Sequence, residues 1–364
     1  MSPTASTPTQ ALRPALQPDT SGPWSLADLP SPPPGRHGWP WDRAPDTLRA
    51  RTPKGNAWPR VTVVTPSYNQ GQYLEATIRS VLLQGYANLD YWVIDGGSTD
   101  ELTHEVLERY RPFLSGCVSE PDRGQADAIT KGFARSDGSI MNFLNSDDWF
   151  EPGAIAAAAE RLTDDPELGV VYGTALFTDA EGVVLRPYET QPFDPATLVA
   201  NNYIGQPSLF HRRSVWDQAG GLDTRWNFVL DYALWLKWAS EGVRFTFDDR
   251  ITAYYRLHGE SKSCQLMRTN QDETLRLLES YRQHPRMGPL VQDCLPRRTY
   301  EFAMWSYAQL DLAQFRRMAW RYCVMHRRRP NFALGRRAAM SLLGRGVLRR
   351  LRRGVYGQPP EALA

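Results

Sequence analysis

The sequence predicts an α/β fold: a mixed, mainly parallel sheet flanked by helices, followed by a helical C-terminal extension. Three observations carry this expectation. Short β-branched runs alternate with helix-period apolar patterns between Arg60 and Leu144, the residues just after each run are polar, and beyond Ser263 only the helical period remains. With 364 residues, 41% of them hydrophobic and 11% aromatic, the chain can bury the core of one large domain or two modest ones.

Residues 1–59 hold thirteen of the 28 prolines and almost no apolar period. Such a segment buries too little surface to offset its ordering entropy, so it is expected to be a disordered proline-rich leader. Trp39, Trp41 and Trp58 are the side chains suited to fastening its last part. Val61–Val64 reads as a buried strand stopped by Thr65-Pro66, because proline cannot donate to the ladder. Leu74, Ile78, Val81 and Leu82 follow at helical spacing. A second strand, Tyr91–Ile94, ends at Asp95-Gly96-Gly97, and a helix covers Glu101–Tyr110. Gly116–Ser119 forms a third strand, Ala126, Ile129 and Phe133 mark a helix, and Ser139–Leu144 makes a fourth strand. In such a series ligands bind at the carboxyl ends of the parallel strands.

Those ends are polar: Thr65–Asn69, Asp95–Asp100, Glu120–Gln125 and Asn145–Asp148. Singly, each is a helix cap, as Ser98 or Asp100 would be. Together on one edge they make a site. Asp147 and Asp148 are the sharpest feature, because adjacent carboxylates after a buried strand repel unless a cation or donor network neutralises them. A hard divalent ion, Mg²⁺ or Mn²⁺, held by carboxylates and phosphate oxygens meets that need.

Four blocks then fall in order: Val63-Val64-Thr65-Pro66-Ser67-Tyr68-Asn69, Val93-Ile94-Asp95-Gly96-Gly97-Ser98-Thr99-Asp100, Asp122 to Ile129, and Phe143-Leu144-Asn145-Ser146-Asp147-Asp148. They resemble the signature blocks of the family 2 glycosyltransferases of GT-A fold, which are inverting and use nucleotide sugars. The resemblance covers about 200 residues and implies a GT-A domain over 60–263. It implies that Pro66, Tyr68 and Asn69 line the base pocket, that Asp95 contacts base or ribose, and that Arg123 meets the donor. Asn145 and Asp147 are implied to hold ribose and diphosphate, with Asp147 and Asp148 as metal ligands. Asn145 stands where an aspartate is common, so the site has one charge fewer. Asp231, in Asn227-Phe228-Val229-Leu230-Asp231-Tyr232, is the implied general base. Many relatives carry two acids there, and Leu230 precedes Asp231 instead. Gly205–Phe210 resembles the family's next strand. Tyr254–Ser263 resembles the segment that closes the domain, with His258 a further metal ligand or a diphosphate contact and Arg256 and Lys262 placed to neutralise phosphate.

An inverting transfer needs one carboxylate facing the departing diphosphate across the sugar, near enough to take the acceptor's proton. The implied partners are a nucleotide-sugar donor and a glycan or lipid-linked acceptor. Two rival readings stay open. One is a transferase-like binding domain without activity; the other is a phosphotransferase, since Asp95-Gly96-Gly97-Ser98-Thr99 also resembles a phosphate loop of actin-like ATPases and sugar kinases, which set such loops in β-hairpins. No GxGxxG follows the first strand, which argues against a dinucleotide enzyme.

Residues 264–356 are expected to be a helical, basic extension and 357–364 a flexible tail. Leu275, Leu278, Tyr281, Phe302, Trp305, Leu310, Phe315, Met318 and Trp320 are its candidate packing residues. Net charge is +2, yet Leu312–Arg353 holds thirteen Arg and no Asp or Glu, leaving 29 basic against 40 acidic residues elsewhere. With Leu342, Leu343, Val347, Leu348 and Leu351 among the arginines, an anionic membrane surface is the favoured partner, a solvated or intersubunit surface comes next, and nucleic acid is the least favoured. Cys117, Cys264, Cys294 and Cys323 are scattered without metal-ligand spacing, and no apolar run of about 18 residues occurs. A cytoplasmic protein, peripheral at the inner face of the cell membrane, is the expectation.

Overall fold

The structure, a computed structural model, describes residues 23–43, 45, 48–261 and 267–348. The early part of the proline-rich leader, Lys262, Cys264, Leu351 and the tail 357–364 lie outside them.

Strand β1 (Val61–Ser67) feeds helix α1 (Gly71–Leu82), then β2 (Leu89–Asp95), α2 (Glu101–Tyr110), β3 (Gly116–Ser119), α3 (Gln125–Arg135) and β4 (Ile140–Phe143). These four strands are parallel, in the order β3-β2-β1-β4. The chain moves outward from β1 to β3 and then returns to the other side of β1. That reversal opens a crevice at the carboxyl ends of β1 and β4, where an open α/β sheet takes its ligand. The sheet then becomes mixed. β5 (Trp149–Phe150), α4 (Ala154–Asp164), β6 (Leu168–Thr178), β7 (Val184–Pro187), α5 (Pro195–Ala200), β8 (Leu209–Arg212), α6 (Arg213–Ala219), α7 (Leu230–Glu241) and β9 (Arg244–Arg256) follow. β8 is antiparallel to β4 and β6, β9 runs parallel to β6, and β5 is antiparallel to β9. The α/β expectation holds.

Alternation along β1 explains the two layers. Val61 and Val63 join the core under α1 and α2, whereas Val64 joins the one that α3 and α7 complete. Gly132 of α3 lets that helix sit close, since a methyl there would stand 2.5 Å from Val64 Cγ1. Gly132→Ala would therefore cost about 1–3 kcal/mol by overpacking.

One expectation is corrected here. β1 runs through Pro66 to Ser67, pairing with β2 all the way. Val64 O accepts from Leu144 N and Ser67 O accepts from Gly96 N, so even-numbered residues address β4 and odd-numbered ones β2. The missing N–H of Pro66 thus faces the β4 side, where the ladder has ended at Val64 and Phe143. Nothing is lost by the proline.

The composition of residues 1–59 argues for disorder, yet described parts of this segment lie on the domain. The buried Arg79 guanidinium of α1 donates to Pro30 O (2.7 Å), Pro40 O (3.0 Å), Trp41 O (2.8 Å) and the Tyr110 hydroxyl (3.0 Å). Trp39 Nε1 donates to Phe150 O at 2.7 Å. The planar guanidinium fork thus satisfies three carbonyls of the proline-rich chain and one hydroxyl.

The extension is helical as expected: α8 (Met267–Ser280), α9 (Gly288–Ala308), α10 (Leu312–Trp320) and α11 (Phe332–Ser341). Leu275, Leu278, Phe315 and Met318 enter the core shared with α7. Trp305 and Trp320 do not pack as expected; both stand on the outer face, exposed.

Candidate active site

The β1 and β2 ends are laced together. Asn69, in the left-handed region at φ 52°, accepts from Thr99 N through Oδ1 (2.8 Å), and its own N–H donates to Ser98 Oγ (2.7 Å). Asp95 is fully buried, and its carboxylate accepts from Ser98 N (2.9 Å), Gly97 N (3.2 Å), Ser98 Oγ (2.5 Å) and Ser119 Oγ (2.6 Å). It thereby shapes the loop that Gly97 turns at φ 80°. Pro66 is buried in the strand, whereas Tyr68 is 59% exposed and offers a ring at the rim. Asp100 caps α2 by accepting from Thr103 N, so the Asp95–Asp100 loop joins a strand to a helix and is no hairpin. The Arg123 side chain is 86% exposed and paired with Asp127 at 3.0 Å.

After β4 the chain turns, with Asp148 N donating to Asn145 O at 3.1 Å. The turn separates the two aspartates. Asp147 stays near the rim, its Oδ2 3.0 Å from His258 Nε2. Asp148 is buried beneath, accepting from Arg256 N on Oδ1 (2.9 Å) and from Asn145 Nδ2 on Oδ2 (3.3 Å). Burial, with the Asp147 charge added, holds the Asp148 carboxyl well above the usual carboxylate range. The arrangement brings Asp147 and His258 together as a pair and commits Asp148 to the turn. Thr77 of α1 donates to Ser146 O (2.9 Å) and Asp148 O (2.7 Å), and fixes the turn from below.

Asn145 is a polar hub: its Oδ1 accepts from Gln125 Nε2 (2.6 Å) and its Nδ2 donates to Gln206 Oε1 (3.2 Å). Gln206 Nε2 donates in turn to Phe143 O. Gln206 lies on a single 3₁₀ turn, and β8 begins only at Leu209, so the expected strand from Gly205 is shorter. Arg256 does not reach outward to phosphate. Its guanidinium lies 4.7 Å from the Tyr73 ring centroid and 4.5 Å from that of Trp149, donating to Asp147 O (2.9 Å) and Ala180 O (2.6 Å). Thr77, Tyr73 and Gln206 were not singled out from sequence as site residues, because nothing local marks a helix Thr or a loop Gln as a support.

Asp231 sits in the first turn of α7, where a carboxylate is favoured by the helix dipole. Its Oδ1 accepts from Tyr232 N at 2.6 Å. Burial raises the Tyr188 phenol, and the Asp231 charge adds to that rise. The Tyr188 ring also lies beside Gly205, next to Gln206.

The sequence profile "Glycosyl transferase family 2" matches residues 62–217, from β1 to α6. The matched domain is a family 2 glycosyltransferase domain. It includes the strand-end blocks and Asn145–Asp148 but ends before Asp231 and His258. An uncharacterized glycosyltransferase of Nostoc sp. is 25% identical over 221 residues, covering 55% of this chain and 65% of the relative. Chondroitin synthase of Escherichia coli is 26% identical over 208 residues, covering 56% of this chain and 30% of the synthase. The chain spans 65%, 30% and 22% of the length of the first three curated relatives. Among solved structures, S. aureus TarS 1–349 in complex with UDP-GlcNAc aligns with TM-score 0.57 at 14% identity, over 83% of this chain and 97% of TarS 1–349. Mannosyltransferase PcManGT of Pyrobaculum calidifontis, in complex with GDP-Man and Mn²⁺, aligns with TM-score 0.50 at 18% identity, covering 88% of this chain and 91% of its own. At these identities the alignments establish the shared GT-A fold.

Among the described residues no group of three or more His, Cys, Asp and Glu gathers at metal-binding distance. The Asp147–His258 pair nevertheless fits a divalent ion completed by diphosphate oxygens. Its 3.0 Å separation equals that of neighbouring ligands on an octahedral ion at about 2.1 Å.

Proposed function

We propose that this protein moves a sugar from a nucleoside-diphosphate sugar to a hydroxyl of a glycan or lipid-linked acceptor, by metal-assisted inverting displacement. The observation that carries the reading is the Asp147–His258 pair at the β4 end, beside the Asn145 hub and at the switch point of a family 2 domain. UDP-GlcNAc bound to TarS 1–349, and GDP-Man with Mn²⁺ bound to PcManGT, support it. Asp147 and His258 would hold the divalent ion, which supplies charge neutralisation for the departing diphosphate. Asn145 would hold ribose through its amide, and Pro66, Tyr68 and Asn69 would form the wall for the base. Asp95 would act through the loop it shapes, and Arg123 would have to leave Asp127 to meet the donor. Asp148 would serve the ion by holding Asp147's turn. Asp231 would take the acceptor hydroxyl's proton while that oxygen bonds to the anomeric carbon and the bond to the diphosphate breaks. The proton ends on Asp231 and the negative charge on the nucleoside diphosphate.

A thermal-shift titration with UDP or GDP plus Mn²⁺ tests donor binding: stabilisation is expected, and no shift with any nucleoside diphosphate would sink the reading. Asp231→Asn should abolish turnover of a nucleotide sugar while leaving that shift in place; full activity would remove Asp231 from the role.

The acceptor side of the same reading includes a membrane. No helix among the described residues is long and apolar enough to cross one. Exposed Trp320, Phe332, Leu342, Leu343 and Val347 lie along a stretch whose charged residues are all arginine, which suits peripheral contact with an anionic surface. Sedimentation with phosphatidylglycerol vesicles, compared with phosphatidylcholine ones, checks it: equal binding to both, or to neither, would refute the contact.

A further inference from the structure

We infer that Glu273, on α8, is the positioning residue for Asp231, and this rests on the assignment of Asp231 as base. Helix α7 lacks a cap of its own: its N-cap residue is Val229, whose side chain offers no acceptor. Three successive backbone N–H groups ahead of the helix converge instead on one buried carboxylate from α8. Asn227 N donates to Glu273 at 3.2 and 3.1 Å, Phe228 N at 2.8 Å and Val229 N at 3.2 Å. Glu273 is only 4% exposed. A run of backbone N–H groups around an anion is a nest, and here the anion is built into the protein.

A buried carboxylate is strongly disfavoured by its lost hydration unless charge-assisted hydrogen bonds replace the water. Four contacts to three N–H donors, aimed at the positive end of α7, do so. The consequence for function is geometric. Asp231 lies two residues beyond the last clamped N–H, in the first helical turn, so the clamp sets where α7 begins and hence where the Asp231 carboxylate stands. Without Glu273 the three donors would seek water, the entry to α7 would fray, and Asp231 would drift relative to the β4 end. The donor-side residues do not depend on this clamp, because Asn145 is held by Gln125 and Gln206, the Asp147 turn is held by Thr77 and Arg256, and His258 is paired with Asp147.

That independence supplies the test. Turnover is read in the full-length protein as nucleoside diphosphate released from the nucleotide sugar that the wild type consumes, alongside Mn²⁺-dependent binding of the nucleoside diphosphate. Glu273→Ala should lower kcat about tenfold to a hundredfold, the effect of displacing a reacting group by roughly an ångström, with nucleoside-diphosphate affinity unchanged. Glu273→Gln, whose amide oxygen still accepts from the nest, should recover most of that loss. Assayed well below their unfolding midpoints, two results overturn the inference: wild-type kcat in Glu273→Ala, or equal losses of kcat and nucleotide affinity in both variants, which mark a stability effect only. Asp231→Asn separates the premises, since an active Asp231→Asn refutes the base assignment, whereas an inactive Asp231→Asn beside a fully active Glu273→Ala refutes only the positioning role.

Discussion

Arg256→Lys isolates the support of the Asp147 turn, because it keeps the positive charge and removes the planar fork. The wild-type guanidinium makes two hydrogen bonds to carbonyls, at 2.9 Å to Asp147 O and 2.6 Å to Ala180 O, while stacked between Tyr73 and Trp149. Hydrogen bonds from charged groups contribute about 1.5–3 kcal/mol each, and a desolvated cation over an aromatic ring adds up to about 2 kcal/mol. A lysine ammonium reaches one carbonyl at most and stacks poorly, so roughly one hydrogen bond and part of the stacking disappear. The expected loss is about 2–4 kcal/mol in the free energy of urea unfolding followed by tryptophan fluorescence. The same change loosens the carbonyl of Asp147, and loss of a residue that orients a metal ligand typically weakens the site about tenfold to a hundredfold. Mn²⁺-dependent UDP or GDP binding by calorimetry should weaken by that order. An unfolding free energy within about 0.5 kcal/mol of wild type, the range of a neutral surface change, together with unchanged nucleotide affinity, would refute the assigned support.

Three further outcomes are expected. His258→Ala should abolish the Mn²⁺-dependent part of nucleoside-diphosphate binding and spare the metal-free part; retention of the full Mn²⁺ effect would exclude His258 as a ligand. Burial pushes His211 down to about 4 from 6.5, so between those pH values the unfolded chain binds a proton that the folded one refuses. Stability is then full above pH 6.5 and falls as pH drops towards 4, by about 3 kcal/mol in total; His211→Phe should flatten that slope in urea titrations, and an unchanged slope would clear His211. Arg79→Ala removes the donors on which the carbonyls of Pro30, Pro40 and Trp41 and the Tyr110 hydroxyl depend, while Glu75 keeps Arg109 (3.4 Å), so it should destabilise by about 3–5 kcal/mol through buried acceptors left unsatisfied. It should also speed tryptic cleavage after Arg36 and Arg43, and equal cleavage rates would show that the chain is held elsewhere.

How much of this was legible in the sequence depends on the range of the interaction. Helix α2 was read at its observed limits because its signals are local: an Asp100 cap, a glutamate in the first turn and an apolar period. Pro66 misled for the opposite reason. Whether a proline ends a strand depends on which neighbour its absent N–H faces, and that is set by the register with β4, not by residues 60–66. Trp305 and Trp320 misled similarly, since an apolar side chain at helical spacing is buried only if a partner covers that face.

The same distinction runs through the site. Asp147 and Asp148 are neighbours in sequence, and adjacency suggested shared ligation; a turn closed at 3.1 Å sends one to the rim and the other under it. Asp147 is joined by His258, 111 positions away, which the family resemblance named but no local pattern marks, and Asn145 meets Gln206 across 61. Short polar motifs at strand ends therefore mark where a site lies, but its geometry is decided by partners from later elements. Arg256, Glu273 and Gln206 come from β9, α8 and the turn before β8, and they fix the Asp147 turn, the entry to α7 and the Asn145 hub respectively. A domain that ended at the matched residue 217 would keep the strand-end motifs and lose His258, Asp231 and the clamp at the entry to α7. On the proposed assignments the helices after the matched region belong to the catalytic unit, since α7 carries the proposed base and α8 holds the entry to α7.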